Sequence, residues 1–220
     1  MMEQDGRTPK MVSLWWVGVD FVVIGVLAAY ILAGVPLATL HGDEGMQVYA
    51  TLDYITAVMD GDPLSLMTNP PYQIDSRAHL RIINGSVQRY AAGAVLHLRG
   101  HNDGDLNREP GWNWGRTYTS NIDNGYRPKQ SILGPSRYTS AVFFALGLIP
   151  LLGLARLLGG RWAAYPALAL YATNPLMLLN ARRAVMEGSL LFFGLLTMWA
   201  GGAIADRVRR GVRVAPWLWA

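Results

Sequence analysis

The sequence predicts an all-α membrane protein, a polytopic bundle of four transmembrane helices with a large extracytoplasmic first loop that carries amphipathic surface helices. Three observations lead there. Hydrophobic residues make up 51% of the 220 and charged residues only 15%, a balance too apolar for an ordinary soluble domain. The apolar residues are bunched into four stretches, 21–40, 138–158, 162–179 and 184–204, each close to the roughly 20 residues an α-helix needs to cross about 30 Å of hydrocarbon. The polar chemistry is concentrated between the first two stretches: segment 41–137 holds all four histidines and ten of the fifteen acidic residues.

In chain order, 1–13 reads as a cytoplasmic N-terminus with Arg7 and Lys10 on its basic flank, and 14–40 as the first span, entered at Trp15 and Trp16 and left near Pro36. A secretory signal would share the basic flank, but the apolar stretch is longer than a signal core. Asp20 falls at the inner interface without an assigned role. Segment 41–137 then lies outside and is too long to be a simple connector. Within it, 44–59 has helical spacing up to the turn Asp60-Gly61-Asp62-Pro63, and 76–98 repeats apolar residues at i, i+3, i+4 from Leu80 to Leu98. Stretch 100–130, rich in Gly, Asn, Asp and Trp, has no period and reads as ordered loop. Spans 138–158 and 162–179 are joined by a tight cytoplasmic turn at Gly159-Gly160 between Arg156 and Arg161. Span 184–204 leads to the basic segment 205–220, with Arg207, Arg209, Arg210 and Arg213 inside. Pro216, Trp217 and Trp219 resemble the entry of another span, so the chain is expected to be the N-terminal portion of a larger protein.

The formal charge of +4 follows from this topology and does not point to nucleic acid. The absence of cysteine excludes disulfides, thiolate metal sites and a cysteine nucleophile. His79, His97 and His101 lack a recognisable metal spacing, so no metal ligand is assigned, although a divalent metal as cofactor stays open.

Two constellations carry the candidate chemistry. His41-Gly42-Asp43-Glu44-Gly45 stands where the first span leaves the membrane. Paired carboxylates there suit a general base, because each raises the other's proton affinity and the membrane edge partly desolvates both. An N-cap at Asp43, with Glu44 on the positive end of the helix dipole, accounts for the same residues. The second is Asn180-Ala181-Arg182-Arg183-Ala184-Val185-Met186-Glu187. Two arginines in a short outer loop run against the positive-inside bias, and a carboxylate entering an apolar span is expensive. An Arg183–Glu187 ion pair one turn apart, or arginines gripping a lipid phosphate, would each compensate them. Trp112 and Trp114 either stack on a sugar ring or anchor at the interface.

These stretches resemble the N-terminal part of the GT-C glycosyltransferases of the protein O-mannosyltransferase and aminoarabinose-transferase class. The resemblance rests on a first span ending in Asp-Glu, a long first outer loop with surface helices, and the outer Ala-Arg-Arg-Ala-Val-Met-Glu stretch. It implies a polyprenyl-phosphate-linked sugar donor in the cell membrane and an extracytoplasmic acceptor that is protein, lipid or glycan. It further implies Asp43 as catalytic base with Glu44 as its partner, and Arg182, Arg183 and Glu187 about the donor phosphate. The competing expectation is a non-enzymatic assembly or scaffold protein whose outer loop binds a partner.

Overall fold

A computed structural model describes residues 14–67, 77–109 and 111–211. The basic N-terminal flank and the Pro216–Trp219 stretch lie outside them. Every regular element among the described residues is helical. Helix α1 is Leu14–Ala33 and a 3-10 turn, Val35–Leu37, follows it. The outer segment holds α2 (Gly42–Tyr49), a single turn α3 (Leu52–Tyr54) running into a π-helical stretch Ile55–Met59, α4 (Arg77–Ile83), α5 (Ser86–Leu98) and α6 (Tyr118–Asp123). The remainder is α7 (Gln130–Leu146), α8 (Leu148–Thr173), α9 (Pro175–Ala181) and α10 (Glu187–Arg209).

Among the described residues, three helical stretches are long and apolar enough to cross a membrane: Trp15–Leu37, Gln130–Thr173 and Glu187–Arg209. The 44-residue middle one is bent double. Phe144 and Tyr171 stack with ring centroids 4.2 Å apart, and the Tyr171 hydroxyl donates to the Phe144 carbonyl at 3.1 Å. A straight helix would separate residues 27 positions apart by about 40 Å. The reversal is at Gly160, whose φ of 71° and ψ of −170° belong to a region only glycine occupies readily. The Gly159-Gly160 turn read from the sequence is therefore present, hidden inside what looks like one long helix.

The termini of these helices differ from the apolar limits. Helix α1 stops at Ala33 and not at residue 40, because Pro36 has no N–H to donate and its ring would collide with the carbonyl four residues back. Helix α7 starts eight residues before the apolar stretch, at Gln130, and its buried Ile132 and Leu133 pack against the outer segment. The 162–179 stretch is interrupted at Asn174, whose side chain accepts from the Leu176 and Met177 N–H groups and starts α9 afresh with Pro175 in its first turn. Helix α10 begins at Glu187, three residues after the predicted start. In the outer segment, 76–98 is two helices split at Gly85, and 100–130 contains α6 and a 3-10 turn, Asp103–Asp105.

Among the described residues, two buried apolar clusters hold the elements together. The larger joins Ile31 and Val35 to Phe144, Leu148, Leu168, Ala172 and Leu178, packing α1 across both arms of the hairpin. Close approach of α10 to that hairpin is set by small residues, with Gly153 under the Trp199 ring and Gly188 against the Ser140 carbonyl. The smaller core, Val48, Leu96, Ile132, Leu133 and Ala184, fixes the outer segment to the start of α7. Large apolar side chains on the outside of α1 and α10, such as Phe21, Val26, Leu190 and Met198, are exposed, as a lipid-facing surface requires. At the far end of the bundle Asp20 accepts from Arg156 on one hairpin arm and, at 2.8 Å, from Tyr165 on the other. Arg161 lies beside them, 4.3 Å over the Trp16 ring.

Candidate functional site

The adjacent acids of the first constellation separate into different environments. Glu44 is fully buried and receives four hydrogen bonds: Arg137 Nε at 2.7 Å and the Ala184 N–H at 2.8 Å on Oε1, Arg137 Nη2 at 2.8 Å and the His41 N–H at 3.0 Å on Oε2. Arg137 also donates to the Ala38 carbonyl at 2.7 Å. One carboxylate thereby ties together the exit of α1, the start of α2, the middle of α7 and the loop before α10. The N-cap of α2 is His41 and not Asp43: His41 Nδ1 accepts from the Asp43 N–H at 3.3 Å, and Glu44 reaches back to close the capping box. This leaves Asp43, with half of its side chain exposed, facing outward from the first turn.

Asp43 borders a cavity of about 430 Å³ whose described lining includes Leu80, Trp112, Asn113 and Trp114. It is the single ionisable residue among that described lining. The loop carrying the tryptophans is held against α2 by two glycines and two asparagines. A Cβ on Gly42 would lie 2.6 Å from Trp112 Cδ1 and 2.7 Å from Trp114 Cζ2, and one on Gly45 would lie 2.5 Å from the Gly111 carbonyl oxygen. Buried Asn107 donates to the carbonyls of Gly45, Gly111 and Tyr126, at 3.0, 3.1 and 3.1 Å. Asn121 accepts from the Asn113 N–H at 2.8 Å and returns a bond to the Asn113 carbonyl at 2.9 Å. The two indoles differ in what they offer: Trp112 is buried against Tyr118, whereas Trp114 is 62% exposed beside the His41 ring.

Glu187 stands on a second, smaller cavity of about 70 Å³ that Asp43 also borders. The structure thus brings Asp43, Trp112, Trp114 and Glu187 to one end of the bundle. The arginines are placed differently. Arg182 donates to the Ile31 and Tyr30 carbonyls at 2.9 and 2.6 Å and fills the space a side chain on Gly34 would need. It satisfies the last carbonyls of α1, which have no partner within the helix. Arg183 bonds Thr39 at 3.3 Å through Nε and Nη2 and does not form the Arg183–Glu187 pair; Glu187 Oε2 is buried without a hydrogen-bond partner among the described residues.

A further ion cluster stiffens the outer segment. Buried Asp53 lies 2.9 Å from Arg81 Nε and 3.4 Å from Arg89 Nε. Burial pushes the Arg89 guanidinium below its ordinary value and Asp53 opposes the shift. Neither Arg137 nor Asn107 stood out in the sequence: a lone arginine at the start of a span reads as an interface anchor, and the partner of Arg137 is 93 residues away. Comparison of the chain with protein-family models, with characterised proteins and with solved structures found no match.

Proposed function

We propose that the protein is a membrane glycosyltransferase that moves a sugar from a polyprenyl-phosphate donor to an extracytoplasmic acceptor. In this reading the two hairpin arms, α1 and α10 make four spans, with the N-terminus in the cytoplasm and the candidate site at the outer headgroup level of the cell membrane. One observation carries it: a half-exposed carboxylate, Asp43, borders a cavity of ligand-binding size beneath an exposed indole, at the end of an apolar helix bundle. Exposed tryptophan offers a flat apolar face to a sugar ring. A partly exposed carboxylate fixed on a helix suits general-base work.

The step is an in-line displacement. Asp43 takes the proton from an acceptor hydroxyl or amine as that atom bonds to the anomeric carbon. The bond from the anomeric carbon to the phosphate oxygen breaks, and polyprenyl phosphate leaves with the electron pair. Glu44, saturated by its four donors, acts as a positioning residue for the turn that presents Asp43. Of the two arginines, Arg183 is the one whose bonds are long and exposed, so it is assigned to the departing phosphate.

The test uses protein purified from its own membranes into nanodiscs and supplied with polyprenyl-phosphate-linked sugars. Release of polyprenyl phosphate is measured together with donor binding by quenching of tryptophan emission. Wild type is expected to bind and turn over a donor, and Asp43→Asn to bind it while losing at least a hundredfold in turnover. Wild-type turnover by Asp43→Asn refutes the base. Absence of any donor binding by wild type refutes the transferase reading in favour of a scaffold whose outer loop binds a partner.

A further inference from the structure

The 70 Å³ cavity shared by Asp43 and Glu187 lies between the first turns of α2, the end of α4 and the start of α10. Its polar lining is made of acceptors. Asn84 donates its amide to the Leu80 carbonyl at 3.0 Å, which turns Asn84 Oδ1 toward Gln47 and fixes the Gln47 amide with Nε2 donating at 2.6 Å. Gln47 Oε1 must then point the other way. Gln47 is 7% exposed and this oxygen has no hydrogen-bond partner among the described residues. Glu187 Oε2 is buried in the same condition. No basic residue is among the described lining, and Arg137, Arg182 and Arg183 are bonded to Glu44, to α1 carbonyls and to Thr39. Buried acceptors without a donor are costly, and Gln47 Oε1 and Glu187 Oε2 belong to side chains that line one cavity, with the half-exposed carboxylate of Asp43 at its edge.

We propose that Asp43, Gln47 and Glu187 hold a hard divalent cation of the Mg²⁺ class. Three oxygen-bearing side chains, two of them carboxylates, suit that ion better than others. Mg²⁺ keeps several waters and binds through one or two carboxylates, whereas Ca²⁺ takes six to eight oxygens and zinc favours nitrogen or sulfur. A cavity of 70 Å³ has room for the ion with part of its water shell, since one water needs only about 10–15 Å³. Among the described residues no group of three or more His, Cys, Asp or Glu side chains is placed to hold a metal, so this site would need the Gln47 amide oxygen and waters beside its two carboxylates. The ion would sit beside the 430 Å³ cavity through their shared residue, Asp43, where a negatively charged ligand would meet it. The proposal shares Asp43 with the transferase reading but does not depend on transfer.

Mn²⁺, a paramagnetic stand-in for Mg²⁺, tests this without any sugar donor. Wild-type protein in nanodiscs of zwitterionic lipid is titrated with Mn²⁺ and the free ion is read by electron paramagnetic resonance. One Mn²⁺ per chain, displaced by excess Mg²⁺, is the expected result. Glu187→Gln and Asp43→Asn should each weaken binding at least tenfold with unchanged tryptophan emission, Glu187→Asp should retain part of it, and the exposed control Glu109→Gln should leave it unaltered. No Mn²⁺ bound by wild type, as when water alone bridges the acceptors, overturns the proposal. So does wild-type affinity in both Glu187→Gln and Asp43→Asn. Bound Mn²⁺ with no donor turnover removes the transferase reading alone.

Discussion

Replacing Glu44 by Gln separates the structural acid from the chemical one beside it. Each Glu44 oxygen accepts two hydrogen bonds, one from Arg137 and one from a backbone N–H. Glutamine can keep only one of those oxygens; its NH₂ group must face either Arg137 Nε with the Ala184 N–H, or Arg137 Nη2 with the His41 N–H. Two bonds are lost in either orientation, each worth about 1.5–3 kcal/mol when one partner is charged. The Arg137 guanidinium, 4% exposed, is also left buried without its counter-charge. A total near 3–5 kcal/mol, the range for breaking a buried pair from one side, corresponds to a fall in Tm of about 6–20 °C for a chain of this size. Unfolding in nanodiscs, followed by emission from the eight tryptophans, measures it. Adding Arg137→Met should restore part of the loss, because it removes the stranded cation. Asp43→Asn, on a half-exposed side chain, should leave Tm within about 2 °C. A Glu44→Gln protein that melts within about 2 °C of wild type would refute the hub role of Glu44.

Gly160→Ala places a Cβ in a backbone region that costs about 1–3 kcal/mol for a residue other than glycine, so Tm should fall by about 2–12 °C. An unchanged Tm would mean that the reversal does not lie at Gly160. Gly42→Ala puts a methyl group within 2.7 Å of both cavity indoles. It should shift the tryptophan emission maximum and destabilise by about 1–3 kcal/mol, with weakened ligand quenching; wild-type emission and quenching would refute the close packing of Trp112 and Trp114 on α2.

The apolar spans were legible because a lipid-facing helix needs no partner to show itself in the sequence. Their ends were not, because tertiary contacts decide them. Pro36 was visible, yet the stop at Ala33 is completed by Arg182, which reaches the carbonyls of residues more than 150 positions earlier. The same guanidinium looked like a phosphate ligand because an arginine in an outer loop advertises its charge and not its partner. The Asp43–Glu44 pair was legible as a special place but not as two roles, since the difference rests on Arg137 arriving from α7. Asn107 and Asn121 were invisible for another reason: in a Gly- and Asn-rich stretch, nothing in the sequence distinguishes the amides that order the loop from those that decorate it.

The Asp20 anchorage has a consequence for biogenesis. Its two partners belong to opposite arms of the hairpin, and Arg156 is synthesised 136 residues later. At about 5–20 residues per second, roughly 7–27 s separate the two on the ribosome. During that interval the leading helix carries an acid with neither partner yet made. The contact that joins α1 to both hairpin arms therefore forms only after the hairpin has been made.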